Sequence, residues 1–337
     1  MQKIRCEVDY LPSSHLTQVY CGLEILRDRH IIDLVYNPPP EKYSNKPILN
    51  IKVNGTYNVF YDLLDGFNWI EGTRVENLQH FRDNYRCDYY FKRSYNEELL
   101  NYAPDNCQVF PLGLNYPVKE KFDISKGLKN QLKNLLRSNY VSYENFEYYP
   151  HFQSDFRVLF LTKLWNPDEV SSNTSKAGRE RINKTRCALI RRCRKEYGDT
   201  FTGGLMEDSF SLRYAKDLVI PRSRTSKKQY LETIRKHPVC ISSIGLHLST
   251  PWKIAEYVAA SRAIITDPLF FDAVGDFESG KNFIEFLNEE ELISSINYLR
   301  ANSIALHDMM VRNWRYYNTY LRPDCLMLNS LLLIDLK

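Results

Sequence analysis

Short apolar runs alternate with amphipathic segments along the first part of the chain. The runs KIRCEVDY, IIDLVYN, YNVFYDLLDG, CDYYFKRS and CQVFPLGLNYPV predict strands, and HLTQVYCGLEILRD, VENLQHFRDNY and NEELLNYA predict helices. Strands rich in β-branched and aromatic residues that alternate with helices are typical of a parallel sheet covered on both faces. We therefore predict an α/β domain over residues 1–120.

The alternation stops over residues 117–155 and then resumes. This stretch is rich in Lys and Asn and then in Tyr, and we predict a surface helix over 125–137 within a connection between domains. Strands are then predicted in FRVLFLTKLWNP, DTFTGG, VCISSI, AIITDP and KNFIEF, and helices in RINKTRCALIRRCRKEYG, KKQYLETIRKHP, NEEELISSINYLRA and LHDMMVRNWRYYNTYL. A second α/β domain over 156–305 follows from this pattern, with 121–155 as the connecting segment. Two such domains suit a two-substrate reaction in the cleft between them, because ligands of open parallel sheets bind outside the carboxyl ends of the strands.

Composition narrows the class of protein. The 337 residues include 45 basic and 41 acidic side chains, a balance that predicts no nucleic-acid partner. None of the eight cysteines forms a C-x-x-C pair, so we expect free thiols in a reducing compartment. No apolar run approaches the roughly 20 residues that cross a bilayer, and the expected location is cytoplasmic.

The stretch VCISSIGLHLSTPWKIAEYVAASRAIITDP reads as strand, loop, helix and strand. Gly245 permits a tight turn, and Ser249 or Thr250 is a preferred N-cap before Pro251. The helix would then begin at the carboxyl end of a strand with unpaired backbone N–H groups at its positive end. Such a helix start is suited to an anion.

Lys253 and Glu256 lie three residues apart and so share a face of this helix. A cation in the first turn of a helix is unfavourable, because it repels the positive end of the helix dipole, unless an anion offsets it. The position of Lys253 therefore favours the interpretation that a phosphate binds there over the interpretation that Lys253 is a solvated surface residue. Glu256 either pairs with Lys253 or accepts the two hydroxyls of a ribose. The spacing leaves both interpretations open.

The segment STPWKIAEYVAASRAIITDP resembles the donor-binding segment of GT-B glycosyltransferases, particularly the bacterial ones of family 4, also called glycosyl transferases group 1. The matching positions of its P-x-K-x-x-E-Y pattern are Pro251, Lys253, Glu256 and Tyr257. The resemblance covers about 156–300 and is weaker over 1–120. It implies a GT-B fold, in which two Rossmann-like βαβ domains face a central cleft. It also implies that the C-terminal segment 306–337, with a helix over 306–321, packs back towards the first domain.

The resemblance also implies roles for particular residues. Glu256 would hold the ribose of a nucleotide-sugar, Lys253 would lie near its phosphates, and Gly245 and His247 would form the loop beside the donor sugar. Lys163, just past the first strand of the second domain, would neutralise the diphosphate and assist its departure. Further basic candidates for the diphosphate are Arg179, Arg181, Lys184 and Arg186, of which Arg181 and Lys184 enter the predicted site. Leu248 stands where the first Glu of the family's E-x7-E motif is expected, which leaves the stereochemical outcome open.

In the first domain, Ser13, Ser14 and His15 come at a strand–helix junction and form the candidate acceptor side. A neutral imidazole suits proton removal from a hydroxyl, so His15 is the candidate general base, with a capping or packing role as the alternative. Asp62 and Asp65 are three apart rather than two, so we predict no metal site and metal-independent catalysis.

We therefore predict a glycosyltransferase that moves a sugar from a nucleotide-sugar to an acceptor hydroxyl, without a cofactor. By the resemblance, the acceptor would be a glycan or lipid-linked molecule in cell-surface polysaccharide or glycoconjugate biosynthesis. Peripheral association with the inner face of the membrane through the acceptor is part of that expectation. A nucleotide-sugar epimerase of GT-B fold and a non-catalytic module that binds a nucleotide-sugar or a partner protein stay as alternatives.

Overall fold

The computed structural model describes residues 3–37, 46–120, 141–152 and 155–334. The surface helix expected over 125–137 lies outside the described residues. Two six-stranded sheets are built from the rest, one from the first part of the chain and one from the second. The expected α/β class, with two sheets flanked by helices, is confirmed.

The first sheet has the strand order β2-β1-β3-β4-β5-β6. Its strands are β1 (Ile4–Asp9), β2 (Ile32–Asn37), β3 (Ile48–Val53), β4 (Tyr57–Asp62), β5 (Tyr89–Lys92) and β6 (Gln108–Pro111). The helices α1 (Thr17–Asp28) and α2 (Arg74–Asn84) accompany them, with a 3₁₀ turn at Glu97–Tyr102. Neighbouring strands are parallel except at β3, which is antiparallel to both β1 and β4.

Strand β3 corrects the prediction of a wholly parallel sheet. Its apolar residues Leu49, Ile51 and Val53 are buried, in the alternation of a half-buried strand. Asn54 and Gly55 then turn the chain with φ of 51° and 67°, and Thr56 N donates to Val53 O. Two successive residues at positive φ are the signature of a tight hairpin turn, which Asn-Gly favours. The Asn54-Gly55 pair is the sequence signal for this hairpin, which was not predicted.

The second sheet is parallel throughout, in the order β12-β11-β10-β7-β8-β9. Its strands are β7 (Val158–Thr162), β8 (Phe201–Met206), β9 (Val219–Ile220), β10 (Val239–Ile241), β11 (Ala263–Thr266) and β12 (Phe283–Glu285). The helices are α3 (Asn173–Tyr197), α4 (Ser209–Tyr214), α5 (Lys227–Lys236), α6 (Trp252–Ala259), α7 (Glu289–Ala301) and α8 (Ser303–Tyr316). The chain leaves β7 towards β8 and returns through β10 on the other side, so the strand order reverses between β7 and β10. Such a reversal opens a crevice at the carboxyl ends of the two strands.

The C-terminal segment connects the two sheets. After α8, a π-helical turn at Tyr317–Leu321 leads to α9 (Pro323–Leu332). Gln18 Nε2 of α1 donates to Leu321 O at 2.8 Å. Leu326, Met327 and Leu331 of α9 then enter the apolar core of the first sheet. The crossing to the first domain is therefore made by the end of the expected helix 306–321 and by a separate helix, which begins at Pro323 because proline cannot continue the preceding one.

Candidate functional site

A cavity of about 560 Å³ lies at the carboxyl ends of β7 and β10, between the two domains. The first domain contributes His15, Asp65, Arg93 and Pro117 to its wall, and the remaining lining comes from the second. The cavity brings together five residues of the site predicted from the sequence, namely His15, Lys163, Gly245, Lys253 and Glu256. Sequence patterns far apart in the chain thus converge on one crevice.

The start of α6 forms one side of this cavity. The prediction that Ser249 or Thr250 caps this helix is wrong. Pro251 occupies the N-cap position in an extended conformation, and no side chain accepts a hydrogen bond from the first turn. Ser249 O instead accepts from Gly245 N at 2.9 Å and closes the preceding loop. Because no side chain caps α6, its positive end is open to an anion in the cavity.

Lys253 stands in the first turn of α6, with its Nζ 4.7 Å from the centre of the Tyr230 ring. Burial lowers the pKa of Lys253 to about 8, and the carboxylate of Glu256 opposes this shift. The structure therefore places Lys253 in the cavity wall rather than on a solvated face. An ammonium desolvated in this way gains more from a bound anion than one in water.

Glu256 is 5% exposed and lines the same cavity. Its Oε1 accepts from Lys227 Nζ at 2.7 Å, and its Oε2 accepts from Tyr230 Oη at 2.6 Å. Both donors belong to α5. Within the described part of the chain, the ion-pair partner of Glu256 is thus Lys227 and not Lys253. A carboxylate has about four lone-pair sites, so each oxygen can still accept a second hydrogen bond from a ligand.

Lys163 directly follows β7, and its Nζ lies 3.8 Å from the centre of the Trp165 ring. Burial and the nearby Arg186 guanidinium lower its pKa. The buried Arg186 donates to Lys163 O at 2.7 Å, to Ser243 Oγ at 2.9 Å and to Ile244 O at 3.0 Å. Arg186 therefore holds together the loops that follow β7 and β10, and Lys163 lines the cavity beside them.

His15 belongs to the part of the cavity wall that the first domain contributes, with its ring centre 4.7 Å from that of Trp252. Burial lowers the pKa of His15, which keeps the imidazole neutral at pH 7. Three buried polar atoms of the cavity wall have no hydrogen-bond partner among the described residues: His15 Nδ1, Trp165 Nε1 and Ser242 Oγ. Buried polar groups in proteins are rarely left unpaired, and a polar ligand in the cavity would give these three atoms partners.

Ser13 and Ser14 turn the chain into α1 and do not line the cavity. Ser13 Oγ accepts from His15 N at 3.3 Å, and Ser14 O accepts from Thr17 Oγ1 at 3.0 Å. Their polar atoms thus shape the loop that presents His15.

A second cavity of about 400 Å³ adjoins the first and lies between α3 and the loop after β10. The exposed Arg181 and the loop residue His247 line it, whereas the exposed Lys184 lines neither cavity. His247 and Leu248 both have positive φ, at 55° and 59°. Gly66 of the first domain packs directly against the His247 backbone, so this strained loop lies at the contact between domains.

Two further residues that line the cavity, Arg93 and Lys227, were not predicted from the sequence. Arg93 is buried just past the carboxyl end of β5, where it pairs with Asp65 and donates to Thr250 O of the second domain. Its position after a parallel strand was the available signal. Lys227 begins α5, and a lysine at a helix start is unfavourable unless a carboxylate such as that of Glu256 offsets it.

The first cavity carries an excess of positive charge. Its wall holds five cationic side chains, Arg93, Lys163, Arg186, Lys227 and Lys253, against the two carboxylates of Asp65 and Glu256. This imbalance suits a ligand with two or three negative charges.

Among the described residues, no group of three or more His, Cys, Asp or Glu side chains could hold a metal ion. None of the described helices is both long and apolar enough to cross a membrane.

No family model matches the chain, and no curated protein matches it. Among solved structures, Anabaena Alr3699/HepE in complex with UDP and glucose is similar over 97% of both chains, at 9% identity and a TM-score of 0.45. A glycosyltransferase from Rickettsia africae ESF-5 is similar over 95% of this chain and 80% of that one, at 12% identity and a TM-score of 0.46. The C-terminal domain of a glycosyl transferase group 1 family protein (LpcC) from Francisella tularensis matches 53% of this chain and 97% of its own, at 10% identity and a TM-score of 0.36. All three TM-scores are below 0.5, and the structure itself shows two α/β sheets whose domains meet at one cleft.

Proposed function

We propose that this protein transfers a sugar from a nucleotide-sugar to the hydroxyl of an acceptor. The observation that carries the proposal is the excess of positive charge in the interdomain cavity, beside the uncapped start of α6. A nucleoside diphosphate carries two to three negative charges and matches that excess. The cavity also lies where the strand order of the second sheet reverses, as nucleotide sites in such sheets do.

The donor would bind along the second domain. Its diphosphate would lie between Lys163, Lys253 and the first turn of α6. The ribose would then meet Glu256, whose remaining lone pairs can accept two hydroxyl groups. Lys227 and Tyr230 hold the carboxylate in place, so the acceptor atoms are oriented before the nucleotide arrives.

In the proposed reaction, the acceptor oxygen forms a bond to the anomeric carbon while the bond from that carbon to the diphosphate oxygen breaks. The negative charge that develops on the departing diphosphate would be stabilised by Lys163 and Lys253, as fixed cations do in a desolvated site. His15 would take the proton of the attacking hydroxyl, because its imidazole is neutral and its Nδ1 is unpaired within the described chain. We propose that this chemistry needs no metal ion. Leu248 leaves the anomeric outcome open.

The acceptor would be a glycan or a lipid-linked molecule that enters from the first domain. A lipid-linked acceptor would bring the protein to the inner face of the membrane, in cell-surface polysaccharide or glycoconjugate assembly. Ser13 and Ser14 would act indirectly here, since they hold the loop that carries His15.

An epimerase would use the same donor site but would invert a ring carbon of the donor's own sugar, by removing and returning a proton there, with no acceptor hydroxyl. Incubation with donor alone separates the two reactions. An epimerase converts the nucleotide-sugar without acceptor, whereas a transferase releases little nucleoside diphosphate until an acceptor is added. A non-catalytic binding module would leave the donor intact with every acceptor.

A thermal-shift screen with nucleoside diphosphates and their sugars tests the donor site, because ligands that bind only the folded state raise the melting temperature. We expect at least one nucleoside diphosphate to raise it in the wild type and to lose most of this effect in Lys253→Met. Lys184→Met is the matched control, since Lys184 is exposed and outside both cavities. If no nucleoside diphosphate shifts the wild-type transition, the proposed function is wrong.

A further inference from the structure

Two cysteines that are distant in the sequence meet in the first domain. The sulfur atoms of Cys87 and Cys107 are 3.4 Å apart. Cys87 lies two residues before β5 and Cys107 directly before β6, and these neighbouring strands are parallel. The two thiols therefore lie side by side at the amino ends of the strands, at the edge of the sheet opposite the cavity. The sequence alone did not reveal this pair, because 20 residues separate its members.

We propose that Cys87 and Cys107 form a reversible disulfide when the protein meets a peroxide or a low-molecular-weight disulfide. All eight cysteines are free in this structure. Both residues of the pair are half-buried, so each keeps a path to a small oxidant. Formation of the bond needs the sulfur atoms to approach by about 1.4 Å, to the usual 2.05 Å. This inference does not depend on the proposed sugar transfer.

With hydrogen peroxide, the first step joins the sulfur of Cys107 to one peroxide oxygen while the O–O bond breaks. The products are a sulfenic acid and water. The sulfur of Cys87 then attacks the sulfenic sulfur and displaces its hydroxyl group, which leaves as a second water with the remaining thiol proton. Two thiols are thus oxidised and one peroxide is reduced to two waters, so no further reactant is required.

The order of the two steps follows from the surroundings of the thiols. The hydrogen bond with Cys107 and burial raise the pKa of Cys87. Its thiol also lies 3.6 Å from Tyr85 O, as a donor to that carbonyl. Thiolates react with oxidants and thiols do not. The contact of Cys87 with Tyr85 O is part-buried, whereas the thiol of Cys107 lies 3.8 Å from Gln108 O in an exposed contact. Cys107 is therefore the residue that a small oxidant reaches first, and Cys87 resolves the sulfenic acid.

The disulfide would close a loop of the first domain that contacts the second domain. Between the two cysteines lie Arg93, which donates to Thr250 O, and Tyr95, whose carbonyl accepts from Asp272 N at 2.9 Å. A cross-link at the base of this loop restricts the unfolded chain and stabilises the folded state. It does not touch the cavity wall. Oxidation should therefore raise the melting temperature and leave nucleotide binding unchanged.

The experiment treats the full chain with a slight excess of hydrogen peroxide and follows it by intact mass and peptide mapping. We expect the loss of two hydrogen atoms, a cross-linked pair of peptides holding Cys87 and Cys107, and a melting temperature raised by several degrees. Dithiothreitol should reverse all three changes. Cys87→Ser and Cys107→Ser should each abolish them, and Cys107→Ser should leave Cys87 unmodified under the same mild treatment.

Cys325→Ser is the matched control, because Cys325 is also half-buried and its Sγ donates to Asn318 O at 3.1 Å. It should form the disulfide like the wild type. The proposal is overturned if the wild type gains oxygen atoms without a cross-linked peptide, or if the cross-link joins other cysteines. It is also overturned if the cross-link forms but the melting temperature does not rise.

Discussion

At the scale of the residue, Glu256 shows how one side chain can satisfy both of the roles that its sequence left open. It forms an ion pair, but with Lys227 of another helix, and it still lines the cavity. The ion pair and the ligand site are therefore not exclusive. The remaining lone pairs of its carboxylate are free to accept hydrogen bonds from the two hydroxyls of a ribose.

The substitution Glu256→Gln should distinguish the contribution of the ribose to binding from that of the phosphates. Charge-assisted hydrogen bonds contribute about 1.5–3 kcal/mol, so the affinity for a nucleoside diphosphate should fall by roughly one to two decades. Inorganic diphosphate has no ribose, and the loss of a nearby negative charge should leave its affinity equal or higher. Calorimetric titration of both ligands against both proteins measures the difference. Equal weakening of the two ligands would refute the ribose assignment and indicate a distorted cavity.

Lys253 should make the binding of the nucleotide depend on pH. Its pKa is lowered to about 8, so its charge is lost as the pH rises through 8, whereas the unfolded chain keeps it to higher pH. The affinity for a nucleoside diphosphate should therefore fall between pH 7 and 9. In the same interval, the contribution of Lys253 to the free energy of unfolding rises, because the folded state binds fewer protons than the unfolded state.

Calorimetry at pH 7, 8 and 9 tests this, with Lys253→Arg and Lys253→Met as the comparison. Arginine keeps its charge throughout and should remove most of the dependence on pH, and methionine should bind weakly at every pH. Burial also lowers the pKa of Lys163, but Lys163 is the same in all three proteins, so the differences between them report on Lys253. The same slope in wild type and Lys253→Arg would contradict the prediction.

His15→Ala should lower turnover without affecting the donor. General bases contribute about 10²- to 10⁴-fold to a rate, and we expect a loss in this range. Nucleoside diphosphate affinity should stay within about twofold, because the proposed phosphate and ribose contacts lie on the second domain. Initial rates and calorimetry on one preparation decide it. Unchanged turnover would assign His15 a packing role against Trp252.

At the scale of the element, the sequence predicted structures with local causes better than those with distant ones. The helix start near Pro251 follows from the local chain, although its cap was predicted wrongly because Ser249 is drawn into the loop closed by Gly245. The hairpin at Asn54 has a local cause as well, because the Asn-Gly pair by itself favours a tight turn. In contrast, the contact of Arg93 with Thr250 joins residues 157 apart. The hydrophobic periodicity of the sequence cannot predict such a contact, because the contact depends on how two whole domains pack.

Helix α1 should tolerate no side chain at Gly22, where it contacts α9. A Cβ atom at Gly22 would lie 2.1 Å from Pro323 O and 2.6 Å from Met327 Cγ. Overpacking of this kind costs about 1–3 kcal/mol, so Gly22→Ala should lower the free energy of unfolding by that amount. Chemical denaturation measures it.

Gly178→Ala is the matched control for this prediction. Gly178 also lies in a helix, but a Cβ there would have no neighbour within 4 Å. Alanine should stabilise α3 by up to about 1 kcal/mol, since glycine is the poorer helix former. If the two substitutions had the same effect, the close contact between α1 and α9 would not exist in solution.

At the scale of the whole molecule, Arg93 joins the domains at the mouth of the cavity. Arg93→Met should leave Asp65 and Thr250 O without their partner and loosen the contact between the domains. Because the proposed donor site lies on the second domain, nucleoside diphosphate affinity should change by less than a few-fold. Turnover should fall more strongly, since His15 and the donor come from opposite sides.

Small-angle X-ray scattering and steady-state kinetics together measure this effect. We expect a larger radius of gyration in Arg93→Met, and a lower kcat with nearly constant donor KM. Arg82→Met, an exposed arginine on α2, is the control that should behave as wild type. A variant with an unchanged radius and unchanged kcat would show that Arg93 does not hold the domains together.

The path of the last helix has a consequence for how the chain is made. Leu326, Met327 and Leu331 of α9 complete the core of the domain whose strands come first in the chain. A ribosome therefore releases every strand of the second sheet before the first domain can bury its last apolar surface. The second domain can mature during translation, whereas the first must wait with an open groove along α1. Until α9 is made, the groove leaves apolar surface exposed on the nascent chain, and such surface is prone to aggregate.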